Sequence, residues 1–349
     1  MNEDKIVFNL KVLKKFINNS LGLNYDKYEV TGYELLTPIL QSSAYNTYIE
    51  TISNKADTLN IRIKESLVSM MEHAYLNYIK NISIKFNLKE KDIILAFDYT
   101  EEDFFGKVEG LNIHGWTGEH GVTGHFKFLT CSIISDEIPQ KIPLISIPIH
   151  IGQYKSSAVL HCLSLIKDKI GKIKLIIFDR GFYDNDLMYE LTKWNYPFLI
   201  FIQKLKEYKI FLEELEKGKT IVIHNYKVNK NNNKGEKYIA FLKEIYDPRS
   251  NKNYDWIFAT NVEAVALGNI LEEYKKRWRI ETSFRVQDEA RIRCKSKDMK
   301  IRYFIFIFEQ MLQVQWICFF KEEATFKEFI IKMYEVSKSW TKQEYADFL

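Results

Sequence analysis

Two short runs constrain this chain more than any other feature in it. "DIILAFDYT" and "KLIIFDRGFY" each hold an unbroken stretch of apolar side chains that stops at an aspartate, Asp98 in the first and Asp179 in the second. A strand with one wet face alternates apolar and polar residues. A strand that is apolar at every position has to be covered on both faces, as happens when helices pack above and below a sheet. "HFKFLTCSII", "IPLISIPIHI", "PFLIFIQK" and "DWIFATN" read as further strands, with "SSAVLHCLSLIKDKIG", closing at Gly171, and "DNDLMYELTKW" as helices among them. This alternation is α/β organisation.

Around that centre the character changes. Residues 1–90 read as helical, through "KVLKKFINNSLGL" and a periodic segment from Thr51 to "IRIKESLVSMMEHAYLNYIKNI". They lack a turn sharp enough for a helix-turn-helix, so DNA-end binding there stays open. Residues 205–253 break the rhythm with the charged "EYKIFLEELEKGK" and two strand candidates, "TIVIHNYKV" and "KYIAFLKEIY", around "NKNNNKGE". That segment looks like a β-rich insertion. A single long helix is predicted from about Glu263 to Arg293. The expected division of the 349 residues is a helical region 1–90, a core in two parts (91–204 and 254–320) around the insertion 205–253, and a helical tail 321–349.

The greasiest stretch, "YFIFIFEQMLQVQWICFF", contains Glu309 and three glutamines, which makes it a core helix with one polar edge and no membrane span. The start, "MNEDKIVFNL", lacks the layout of a secretory signal, so a cytoplasmic location is expected. Four scattered cysteines, with no C-x-x-C pair, signal neither zinc knuckle nor disulfide framework and are expected to be reduced.

Charge placement says more than the net +4. Residues 274–300 hold ten Lys and Arg against four Asp and Glu, a local +6 in a chain otherwise slightly acidic. Such a stripe suits an anionic polymer, or is simply a solvated helix. Within it lies "YKKRWRIETSFR", where Tyr274, Arg277 and Glu281 are spaced by three and four and therefore share a helix face that Arg285 and Asp288 continue. On that face Arg277 and Tyr274 can hold a phosphate while Glu281 ligates a metal; alternatively Glu281 makes ordinary pairs with Arg277 and Arg285.

Asp98 and Asp179 occupy equivalent strand ends, where ligands bind in open α/β sheets. If the strands are parallel neighbours, the carboxylates repel unless a cation lies between them, and hard oxygen ligands select Mg²⁺ or Mn²⁺. A lone strand-end Asp is otherwise turn chemistry.

Taken in order, "IILAFDYT…FFGK", "LIIFDRGFYDNDLMYEL", "WIFATN" and "YKKRWRIETSFR" resemble the DDE transposases of prokaryotic insertion sequences, in the group with a Tyr-x2-Arg-x3-Glu-x6-Lys helix, and more loosely its archaeal members. The likeness spans about residues 91–320. It implies a ribonuclease H-like mixed sheet flanked by helices, with a β-rich insertion between the second and third acids. It also implies Asp98, Asp179 and Glu281 as catalytic, metal-binding residues for two Mg²⁺ or Mn²⁺ ions. The activity implied is metal-dependent cleavage of transposon ends and strand transfer, of cut-and-paste type, on double-stranded DNA comprising terminal inverted repeats and target. Tyr274, Arg277 and Arg285 would bind DNA, and a dimer on DNA and nucleoid association would follow. The family's Lys falls at Asp288 and its frequent Gly after Arg-Trp at Arg279, so Arg285, Arg291 or Lys295 substitutes for the missing phosphate contact or this copy is impaired. The rivals are a catalytically impaired DNA-binding derivative and a stand-alone ribonuclease H-like nuclease. Among lesser features, His114, His120 and His125 are more readily incidental than a zinc site. Trp116 and Trp278 are base-stacking candidates, though a helical Trp more often packs.

Overall fold

In the computed structural model, residues 1–23, 31–115, 118–138, 141–223, 237–247 and 250–339 are described. "NKNNNKGE" and Trp116 lie outside them. Helices α1 (Glu3–Leu21), α2 (Gly32–Tyr45), α3 (Ala56–Glu65) and α4 (Val68–Lys85) come first. Then follow β1 (Ile93–Phe104), β2 (His114–Gly115), β3 (Gly124–Ile133), β4 (Ile142–Ile149), α5 (Lys155–Ile166), β5 (Ile173–Phe178), α6 (Asn185–Lys193) and β6 (Phe198–Phe201). The chain continues through α7 (Lys206–Glu214), β7 (Thr220–Ile223), β8 (Tyr238–Asp247), β9 (Lys252–Thr260), α8 (Glu263–Leu267), α9 (Ile270–Lys275), α10 (Trp278–Gln287), α11 (Met299–Phe319) and α12 (Phe326–Ser339).

The strands form one mixed sheet in the order β2-β3-β1-β5-β6-β9-β8-β7, with β4 also on β3. β1, β5 and β6 are parallel, while β3 and β9 run antiparallel to their neighbours. The described strands of the 205–253 segment prolong the main sheet, since β8 pairs with β9, and β9 with β6.

Both faces of the central strands are covered, which is why those runs are apolar throughout. Along β1, Ile93, Leu95 and Phe97 enter a large core shared with α1, α4, α5 and α11, whereas Ile94 and Ala96 enter a second core beneath α9 and α10. β5 divides the same way, Ile176 and Phe178 to the first core and Leu175 and Ile177 to the second. The N-terminal helices belong to the first core: α1 packs on α4, α2 on α12, and α11 lies across β4.

The polar edge of α11 is wholly internal, and each of its glutamine and glutamate side chains makes at least one hydrogen bond there, although the side-chain oxygens of Gln313 and Gln315 have none. Gln310 meets the Ser146 hydroxyl, Gln313 donates to the Ser283 carbonyl at 2.5 Å, Gln315 donates to the Asn9 carbonyl at 3.0 Å, and Glu309 accepts the Ile292 N–H at 2.6 Å. Buried polar groups left unpaired would cost roughly 1–3 kcal/mol each, so these bonds fix the angle at which α11 meets its neighbours. No helix among the described residues is long and apolar enough to cross a membrane.

The long helix expected over 263–293 is broken twice. Gly268 leaves the helical conformation, and Asn269 starts α9 by accepting the Glu272 N–H on its side chain. A second offset at Lys276–Arg277 separates α9 from α10. The breaks let Ile270, Leu271, Tyr274 and Ile280 all reach the sheet.

Candidate active site

Register decides where the two aspartates go. β1 and β5 are paired with Phe97 beside Phe178, so Asp98 and Asp179 follow as the next residues of adjacent parallel strands. Side chains alternate between faces. Asp98 shares its face with Ile94 and Ala96, and Asp179 with Leu175 and Ile177, which is the face that α10 covers.

Glu281 comes from α10, and Arg277, one turn before it, links the two elements. Its guanidinium, 7% exposed, donates to an Asp98 oxygen at 3.1 Å and to Glu281 at 2.5 Å. Burial raises the Asp98 carboxyl to about 6; Arg277 opposes that rise, and the charges of Asp179 and Glu281 add to it. Asp98 also accepts the Tyr99 N–H, and Asp179 accepts the Gly181 N–H at 2.8 Å, which orients both carboxylates.

These acids thus lie within electrostatic reach of one another and already attract a cation, and their hard oxygen donors suit Mg²⁺ or Mn²⁺. By donor chemistry and charge, the residues fit such an ion. As arranged, Arg277 takes the cation's part: among the described residues no three His, Cys, Asp or Glu side chains are gathered closely enough to form a ready metal cage.

Other expected site residues are placed less simply. Tyr274 is buried at 3% exposure against Phe201, Trp256 and Phe258, and burial pushes its hydroxyl up to about 12. In this arrangement Tyr274 is an aromatic core residue and Arg277 is engaged with two carboxylates. Trp278 packs edge-on against Tyr274. Arg285, Arg291 and Lys295 are exposed, as is Asp288. The His114 ring stacks on His125 at 5.6 Å, and His125 faces Glu101 at 3.3 Å. The four cysteines are free thiols, Cys294 half-buried and the others buried.

Sequence reasoning overlooked Asp136, whose carboxylate accepts from Lys276 at 2.9 Å and Arg279 at 2.6 Å. The Lys276 hydrogen bond is the main reason its carboxyl falls to about 2. The pair ties the start of α10 to the loop after β3. Nothing local in "SDEIP" announces it, since its partners are more than a hundred residues away.

Parts of this chain are similar to known proteins. Residues 152–312 match the family model described as the transposase DDE domain, a segment that contains Asp179 and Glu281 and begins after Asp98. A solved structure of piggyBac transposase, a synaptic complex with hairpin DNA, has a similar fold: TM-score 0.54 and 11% identity, covering 97% of this chain and 81% of that one. No curated protein matches the sequence. Just under half of the chain is thus similar to the transposase DDE domain, and its fold is similar to that of a DNA transposase.

Proposed function

We propose that this protein cuts the ends of a DNA transposon and joins them to target DNA, with Asp98, Asp179 and Glu281 as the catalytic acids. The observation that carries this reading is the convergence of two strand-end aspartates on the sheet face beneath α10, with Arg277 bridging Asp98 to Glu281. Two divalent ions held there would activate the attacking water or 3′-hydroxyl and neutralise the leaving oxygen. The chain's own residues supply the rest. The twofold-bonded Arg277 keeps Asp98 and Glu281 facing each other against their mutual repulsion, and the walls of the second core hold the strand ends rigid. Exposed Arg285, Arg291 and Lys295 contact the phosphates of terminal repeats and target. Synapsis of two ends calls for a dimer on DNA, acting at the nucleoid.

Asp98→Asn, Asp179→Asn and Glu281→Gln are each expected to abolish Mg²⁺-dependent nicking of end DNA while binding in EDTA persists. Nicking by the Asp98→Asn variant at the wild-type rate would refute the assignment. Asp288, exposed where a lysine belongs in related transposases, favours a second reading, a DNA-binding derivative without catalysis; wild-type protein that binds ends and never nicks them would establish that reading instead.

A further inference from the structure

After α10 the chain runs through "RIRCKSK", residues 291–297, with no helix, and its side chains alternate. Arg291, Arg293, Lys295 and Lys297 are exposed, while Ile292 is buried and Cys294 and Ser296 are half-buried. In an extended chain alternate side chains on one side are about 6.7 Å apart, of the order of the separation between successive phosphates along a DNA strand. The four cations line one wall of a cleft of about 710 Å³, whose other walls are the end of β1 and the turn after α2.

The backbone of this segment is pinned from both sides. From the N-terminal region, the Asn46 amide donates to the carbonyls of Glu289 at 3.2 Å and Arg291 at 3.0 Å, and the Thr47 carbonyl accepts the Arg293 N–H at 3.1 Å. From α11, Glu309 accepts the Ile292 N–H, and Arg302 donates to the Ser296 carbonyl at 3.0 Å. Asn46 sits in the left-handed region at φ 49°, and its side-chain oxygen accepts from Lys327 at 2.5 Å, so its amide cannot rotate away without losing three bonds. Lys295 rests on the Tyr48 ring at 4.5 Å. Glu102 is paired with buried Arg302, and Lys297 has an exposed partner in Glu109 at 3.5 Å, which leaves exposed Asp103 and Asp288 as the cleft's acids beside Arg291, Arg293 and Lys295.

We propose that Arg291, Arg293, Lys295 and Lys297 form a fixed basic comb that grips successive phosphates along one strand of DNA, with Asn46 of the N-terminal region as the positioning residue that holds the comb in register. The proposal rests on the transposase reading and extends it, since it makes α2 part of the DNA channel. The test is binding of a fluorescent DNA duplex of about three helical turns by full-length protein in EDTA, titrated over a range of salt. Each phosphate contact contributes roughly 0.9 to the slope of log K against log salt. The Arg293→Ala/Lys297→Ala variant is expected to lower that slope by nearly two. Asn46→Gly, which keeps the left-handed turn and removes the amide, is expected to weaken binding about tenfold with a lower slope while the variant, though less stable, remains folded at the assay temperature by circular dichroism. A wild-type slope in the double variant, or wild-type binding by Asn46→Gly, overturns the comb. Mg²⁺-dependent nicking by the wild-type protein, measured in parallel, separates the two claims. If nicking persists while the comb fails, the transposase reading stands alone; if the wild-type protein neither binds nor nicks, both fall.

Discussion

Replacing Asp98 with Asn should do two opposite things: remove cleavage and stabilise the protein. The carboxyl is buried and held near two other acids, so its titration moves from the ordinary 3.8 to about 6 even with Arg277 bonded to it. At 1.36 kcal/mol per pH unit, that displacement corresponds to about 3 kcal/mol by which the ionised group destabilises the fold. The sign follows from which state binds more protons. Below pH 4 the carboxyl is protonated in both folded and unfolded chains and nothing is lost. Between 4 and 6 the unfolded chain releases its proton first, and stability falls as pH rises. Above 6 the full penalty is present. Asn has the shape of the protonated acid and avoids the penalty at every pH. In metal-free buffer the Asp98→Asn variant should therefore melt within a degree of wild type at pH 4 and about 3–6 °C higher at pH 7.5. Differential scanning calorimetry across that range reads the effect directly. An equal shift at both pH values, or a lower melting temperature at pH 7.5, would refute the claim that burial, with the neighbouring acids adding to it, burdens the ionised Asp98 carboxylate.

Three further expectations concern the same frame. Arg277→Ala leaves Asp98 buried without its counter-charge and should cost about 3 kcal/mol in urea unfolding at neutral pH, with much of that regained in the Arg277→Ala/Asp98→Asn double variant; additive effects would show that the ion pair carries no coupling. Tyr274→Phe should change stability by no more than about 1 kcal/mol and leave duplex affinity untouched, whereas Tyr274→Ala should cost roughly 3–5 kcal/mol as an aromatic cavity opens; a large loss of DNA affinity in Tyr274→Phe would show that its hydroxyl contacts a phosphate. Gly171→Ala should destabilise by about 1–3 kcal/mol in thermal unfolding, because a Cβ there would overlap the backbone carbonyls of Lys91 and, at 2.6 Å, Lys89.

Much of this architecture is local information. The doubly buried strands, the aspartates at their ends, the core helix α11 and the face shared by Tyr274, Arg277 and Glu281 are consequences of side-chain period, and period is visible in one dimension. The broken helix over 263–287 was not legible, because Gly268 and Asn269 are tolerated in helices and only the need to seat Tyr274 and Ile280 on the sheet selects the breaks. Charge in "YKKRWRIETSFR" was likewise ambiguous: Arg277 could have faced solvent and DNA, and instead lies between two carboxylates.

The sequence by itself determined which residues are chemically able to build an acid cluster beside a basic stripe, since residue type and spacing are properties of the chain. Only the tertiary structure decided their partners. Phe97 beside Phe178 brings the two aspartates together, Asp136 clamps the start of α10, and Asn46 reaches the carbonyls at 289 and 291. Such contacts join residues up to hundreds of positions apart, and their geometry is set by strand register and core packing, which no local pattern encodes.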